Sequence, residues 1–288
     1  MNNIIEARNV TKIFSKGVIN KTLTRAVNNI SLNIESEKPM IRAVAGESGS
    51  GKTTLARMIL DLISPTEGEI YFENNNIKTL DATSKLKYRK SVQPIFQDPF
   101  GVFNPFYKID RVLNTPLKKF KISENKTEIN DRIEIALHNV GLRPDETLGR
   151  YPHELSGGQR QRIMVARALV LEPTIIVADE PVSMVDASLR ATILESLYKF
   201  KEELNISVIY ITHDLTTAHQ LCDDIMVLHA GNMVEAGPID LIVRNPSHPY
   251  TKLLVNSIPF PDPKMKWKDF NPSDRSELDA ESVGWRKQ

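Results

Sequence analysis

The 288-residue chain has a single cysteine, Cys222, so no disulfide can close within it, and a reducing cytosol is the compartment that fits. It lacks the Cys/His groupings of structural zinc and iron–sulfur sites. No uncharged apolar run approaches ~18 residues, and the opening stretch has neither a basic nor an apolar leader segment. The expectation is a chain that is neither exported nor membrane-spanning, yet able to dock onto a protein that spans. A charge surplus is missing too: 37 Lys+Arg against 36 Asp+Glu leave +1. That is too little for a protein whose affinity comes from neutralising nucleic-acid phosphates. With 41% hydrophobic and 25% charged residues, the chain reads as a globular protein large enough to bury a sizeable core.

What is present is an alternation of short apolar runs with helix-period segments, which predicts an α/β sheet whose parallel strands are joined by helices. Residues 40–45, 174–178, 208–212 and 225–229 read as its strands. A glycine-rich loop follows the first. Beyond it Leu55, Met58, Ile59 and Leu62 fall at i, i+3, i+4 and i+7, the apolar face of a helix stopping before Ser64-Pro65. Residues 100–151 read as a helical insertion. Pro99, Pro105 and Pro116 break its start, and Ile129, Ile133, Ala136 and Val140 form a stripe closed by Gly141. Runs 4–14 and 26–34 show partial alternation and are expected to be antiparallel strands at the edge of the main sheet. Past Gly237-Pro238, prolines 246, 249, 259, 261, 263 and 272 leave room for a short helical appendage and a loose tail.

Gly46-Glu47-Ser48-Gly49-Ser50-Gly51-Lys52-Thr53 fits G-x-x-x-x-G-K-[ST] between a strand and a helix, the setting the pattern requires. Glycines let the backbone curl with its N–H groups inward, and the helix presents its positive end to the same anion. Lys52 neutralises β/γ-phosphate oxygens in this reading, while the Thr53 hydroxyl, followed by Thr54, reaches Mg²⁺. Residues 175–178 form an apolar run ending in Asp179 and Glu180, at the strand end where open parallel sheets bind ligands. Asp179 suits the Mg²⁺ shell and Glu180 suits polarising a water at the γ-phosphate. Leu155-Ser156-Gly157-Gly158-Gln159 opens a further helical segment and offers a second anion-binding start, although Ser-Gly-Gly alone is more often a flexible cap.

In identity and order these residues resemble the ATP-binding cassette (ABC) ATPases. The resemblance implies a P-loop NTPase core with an antiparallel β edge subdomain, an inserted α-helical subdomain and a short C-terminal extension. It implies ATP and Mg²⁺ as ligands, with Thr53, Gln97 and Asp179 around the metal. Gln97 stands at the Q-loop glutamine, residues 155–159 at the signature, Asp186 at the D-loop and His213 at the switch histidine. Glu180, His213 and Gln97 are the implied catalytic set. Phe14 stands where an aromatic stacks on adenine, though Phe14 alone also reads as a buried strand residue.

Outside the catalytic motifs, Asn245-Pro246-Ser247-His248-Pro249-Tyr250-Thr251-Lys252-Leu253-Leu254 resembles the C-terminal extension of oligopeptide/dipeptide-type importer ATPases. The implied division is 1–240 for the cassette, with about 98–165 as its helical subdomain, and 241–288 for extension and tail. The implied role is energising peptide import at the cytoplasmic face of the cell membrane, with oligosaccharide import as an alternative. Implied partners are a second, paralogous ATPase (or a second copy), two transmembrane permeases and, indirectly, an extracellular solute-binding protein. The middle of Ser183-Met184-Val185-Asp186 departs from the Ala and Leu common there. A non-transport cassette clamping nucleic acid is the rival reading, disfavoured because the chain lacks a long heptad run, zinc-binding cysteines and a second cassette.

Overall fold

The computed structural model describes residues 3–16, 22–97, 101, 103–183 and 185–257. Its strands in chain order are β1 (Asn3–Lys16), β2 (Thr22–Glu35), β3 (Ile41–Ala45), β4 (Glu67–Phe72), β5 (Asn75–Asn76), β6 (Val92–Ile95), β7 (Ile175–Asp179), β8 (Ser207–Thr212), β9 (Asp224–His229) and β10 (Asn232–Pro238). The helices are α1 (Lys52–Ile59), α2 (Ala82–Ser91), α3 (Asp110–Lys119), α4 (Lys126–Asn139), α5 (Pro144–Thr147), α6 (Gly157–Leu169), α7 (Ala187–Glu202), α8 (Leu215–Leu221), α9 (Ile239–Arg244) and α10 (Pro249–Asn256). These elements fall into two compact units, each assembled from separate stretches of chain.

The first unit takes residues 3–4, 34–41 and 72–210. Its strands β6 and β7 run parallel, Val92 beside Ile175 and Ile95 beside Ala178. The start of β8 lies on the other side of β7, where the Ser207 N–H donates to the Thr174 carbonyl at 3.0 Å. Ile175 to Ala178 and Val208 to Tyr210 are all buried, as continuous apolar strands covered on both faces should be. Helix α6 contributes Ile163, Met164, Val165 and Ala166 to the same interior, and α3 and α4 pack against it. The stripe Ile129, Ile133, Ala136 is buried on α4, and Gly141 follows the helix with φ 67.

The second unit takes residues 5–33, 42–71 and 211–257. Here β3 runs parallel to β9, from Arg42 beside Asp224 to Ala45 beside Val227. The Arg42 guanidinium meets the Asp224 carboxylate at 2.6 Å, tying the starts of the paired strands. Strand β10 turns back antiparallel on β9, with a bulge between Met233 and Glu235.

Three expectations are corrected. Strands β1 and β2 do not flank the sheet that contains β3; they pair in the order β2-β1-β4 in a sheet of their own. The physical sign was their partial alternation: β2 buries Val27, Ile30, Leu32 and Ile34 and leaves the side chains between them exposed or half-buried, unlike the fully buried β8. Leu62 is not on the core face of α1. The helix ends at Ile59, Asp61 takes a left-handed φ of 56, and Leu62 is turned outward at 57% exposure. Pro116 does not break the insertion but lies buried inside α3. The neighbouring Asn114 and Thr115 side chains donate to the carbonyls of Asp110 (2.8 Å) and Arg111 (2.6 Å), so local polar groups remain bonded around the missing N–H. Pro99, Phe100 and Met184, and the tail from 258 onward, lie outside the described residues.

Candidate functional site

In the second unit, residues 46–51 carry the chain from β3 into α1. Gly46, Gly49 and Gly51 have φ of 149, 83 and 106, and the space beside two of them is closed by backbone. A Cβ on Gly46 would lie 2.2 Å from the Leu228 carbonyl oxygen, and one on Gly51 would lie 2.3 Å from that of Ala26. Glycine is therefore demanded twice by walls that cannot give way. At Gly49 a Cβ would meet open space. The Gly231 N–H donates to the Ser50 carbonyl at 3.0 Å, and the Glu47 N–H donates to the Tyr250 hydroxyl at 2.8 Å. The loop is thus fastened near both ends by the turn after β9 and by α10.

Lys52 is 5% exposed and its ammonium donates to the carbonyls of Gly46 and Glu47, each at 2.8 Å. A buried cation held inside the loop it serves suits a polyanion. Helix α1 strengthens that field: its N-cap is Gly51, no side chain caps it and no acid sits in its first turn. Ser48, Gly49 and Thr53 are exposed and Thr54 is half-buried, so the loop's outer side is open. The nearest loop acid, Glu47, faces His229 at 3.4 Å. Glycine walls, a captive lysine and an uncapped helix start together fit a nucleotide polyphosphate.

In the first unit, β7 delivers Asp179 and Glu180 half-buried at its end. Glu180 adopts a left-handed φ of 47, starting a tight turn in which the Ser183 N–H and hydroxyl both donate to its carbonyl, at 3.2 and 3.0 Å. The Gln97 amide, two residues beyond β6, donates to the Glu180 carboxylate at 3.1 Å. Two residues singled out separately in the sequence are therefore in contact. Gln161, buried on α6, donates to the Pro181 carbonyl at 2.9 Å and ties the signature helix to the same turn.

The signature opens α6 through a capping box. Ser156 accepts from the Gln159 N–H at 3.1 Å and donates its own N–H to the Gln159 side chain at 2.9 Å. Gly157 and Gly158 form the first turn, half-buried, with Ser156 exposed. A Cβ on Gly158 would come within 2.5 Å of Leu189 on α7. Asp186 caps α7, accepting from the Leu189 N–H at 2.9 Å, so signature and D-loop helices start against one another.

The remaining candidates belong to the second unit. His213 is exposed just past β8, followed by Asp214, which caps α8 by accepting from the N–H groups of Thr216 and Thr217. Phe14 is on β1 at 43% exposure, with the Lys12 ammonium 5.4 Å from its ring centroid, so it is not a core residue. Sequence reasoning missed the Tyr250–Glu47 and Gln161–Pro181 bonds; both join residues far apart in the chain, and no local spacing signals them.

Comparison with known proteins accounts for this arrangement. The family model described as ABC transporter matches residues 27–183, and one described as oligopeptide/dipeptide transporter, C-terminal region, matches residues 234–283. An oligopeptide transport ATP-binding protein, OppF, of Streptococcus mutans is 40% identical over 99% of this chain and 91% of its own length. A dipeptide transport ATP-binding protein, DppF, of Haemophilus influenzae is 40% identical over 84% of this chain and 73% of its own. Among solved structures, the ATP-binding cassette MJ0796, in a dimeric post-hydrolysis state bound to ADP and Pi, superposes with a TM-score of 0.70. It is 30% identical and covers 82% of this chain and 98% of its own. This chain belongs to the ABC transporter family and has the P-loop NTPase fold of its cassettes. Within that family it is an ATPase subunit of the oligopeptide/dipeptide type.

Proposed function

We propose that this chain binds and hydrolyses ATP to energise uptake of peptides through a membrane transporter. One observation carries the reading: a cassette with the phosphate loop, Gln97–Glu180 pair and signature is continuous with a region matching the oligopeptide/dipeptide C-terminal model. Among the described residues no helix is long and apolar enough to cross a membrane. The relatives named as transport ATP-binding proteins support permease partners that supply the translocation path. The chain works at their cytoplasmic face, paired with a second cassette.

In this mechanism the loop N–H groups, Lys52 and the start of α1 bind the phosphates, and Phe14 offers its ring to the base. Glu180 takes the proton of the attacking water, with Gln97 donating to its carboxylate and orienting it. His213 serves the γ-phosphate. Thr53, Gln97 and Asp179 offer oxygen donors, the ligand type Mg²⁺ prefers, and would hold that ion; when bound it neutralises phosphate charge. Ser156 to Gln159 and Asp186 serve the ATP of the paired cassette. Residues 1–240 form the catalytic part, with about 98–165 as the helical subdomain facing the permeases, and 241–288 form the extension.

The test is made on the complex with its permeases and receptor in lipid vesicles: peptide accelerates ATP hydrolysis and accumulates inside, and acceleration by oligosaccharide instead overturns the assignment of cargo. In the same complex Glu180→Gln keeps ATP binding and slows turnover by a factor of about 10² or more. An unchanged rate removes Glu180 from catalysis.

A further inference from the structure

Helix α10 opens with His248, Pro249 and Tyr250, and each has a separate task. His248 is the N-cap, its Nδ1 accepting from the Tyr250 N–H at 3.1 Å. Pro249 occupies the first helical position, where a missing N–H costs nothing. Tyr250 is 4% exposed and directs its hydroxyl away from its own helix to the phosphate loop, where it accepts the Glu47 N–H at 2.8 Å. Its ring stacks on His229 with centroids 4.1 Å apart and planes 28° from parallel. His229 in turn faces the Glu47 carboxylate at 3.4 Å. The backbone of one phosphate-loop residue is therefore held by α10, and its carboxylate lies beside the end of β9.

The extension is itself anchored. Glu235 on β10 accepts the N–H of Ser247 at 2.8 Å and of His248 at 3.1 Å, satisfying donors just ahead of α10. Thr251, the residue after Tyr250, is completely buried. Tyr250 is thus presented from a fixed base rather than from a free tail.

From this geometry we propose that Tyr250 is a positioning residue for ATP binding. By accepting the Glu47 N–H it fixes the orientation of the first peptide units of the loop, including the Gly46 and Glu47 carbonyls on which the Lys52 ammonium rests. Through Tyr250 the C-terminal extension sets how well the loop is preorganised for phosphate, and so the affinity for nucleotide. The extension acts inside its own subunit in addition to any contact with a partner. The proposal rests on the reading that residues 46–53 bind ATP.

The test uses Tyr250→Phe in the full chain, which removes the hydroxyl and keeps the ring stacked on His229. The expected result is a rise of about three- to tenfold in KM for ATP and in the calorimetric Kd, with kcat at saturating ATP within about twofold and the melting temperature lowered by no more than a few degrees. A purely structural tyrosine would instead lower Tm or the active fraction and leave KM alone; that result, or wild-type KM and Kd, overturns the proposal. Lys52→Ala is the parallel control. If it retains wild-type ATP affinity, the phosphate-loop reading fails and the proposal falls with it. If it loses ATP while Tyr250→Phe binds normally, the positioning role alone fails.

Discussion

The phosphate loop and the signature loop each lead a glycine-rich stretch into a helix, yet they are built in opposite ways. The first is walled by backbone: a Cβ on Gly46 or Gly51 would strike the carbonyl of Leu228 or Ala26, and Gly231 and Tyr250 fasten the loop near either end. The second satisfies its polar ends from within, Ser156 and Gln159 bonding each other, and a Cβ on Gly158 would meet the side chain of Leu189. A loop set by its own surroundings keeps its shape before ligand arrives. A loop set by its own capping box presents an exposed helix start whose shape is held by local bonds.

The sharpest way to break this contrast is Gly46→Ala. Backbone at 2.2 Å cannot withdraw as a side chain can, so the variant loses about 3 kcal/mol of stability, read by urea denaturation, together with ATP binding. Gly158→Ala is the matched change in the other loop. The Leu189 side chain can rotate aside, so the cost is about 1 kcal/mol and ATP binding by the isolated chain is unchanged. Equal losses at the two glycines would erase the distinction.

A smaller effect comes from pH. Burial pulls the Glu235 carboxyl upward, but the N–H of Ser247, with Thr251 beside it, and then the N–H and charge of His248 outweigh that and hold it below the ordinary glutamate range. A carboxylate depressed on folding adds stability that is present above its unfolded pKa and fades as pH falls through the lowered folded value. Seating of α10, followed by hydrogen exchange at Ser247 and His248, therefore weakens only in acid below the usual glutamate range. Glu235→Gln abolishes that dependence, while exchange in the first turn of α6 does not respond.

How much was legible in the sequence follows the range of the interaction concerned. The loop between β3 and α1 could be placed outright because its pattern is contiguous: eight residues in order supply the glycines, the lysine and the helix start. The buried strands were legible from their apolar runs and moved by no more than a residue at either end. Leu62 was misplaced because an i+7 spacing presumes that the helix continues, and the left-handed Asp61 ends that continuity in a way periodicity does not register. The sheet membership of β1 and β2 was misjudged for a related reason: alternation reveals one-sided burial but not which sheet is formed. For the site, Gln97 and Glu180 were each marked by local pattern, whereas their contact at 3.1 Å depends on the pairing of β6 with β7.

The bond between Glu47 and Tyr250 spans 203 positions. During synthesis the amino end leaves the ribosome first, so the loop between β3 and α1 is made early and must wait for most of the remaining polypeptide before the Tyr250 hydroxyl arrives. A nascent subunit interrupted ahead of that tyrosine would carry the motifs from Gly46 to His213 and still lack this brace on the loop between β3 and α1.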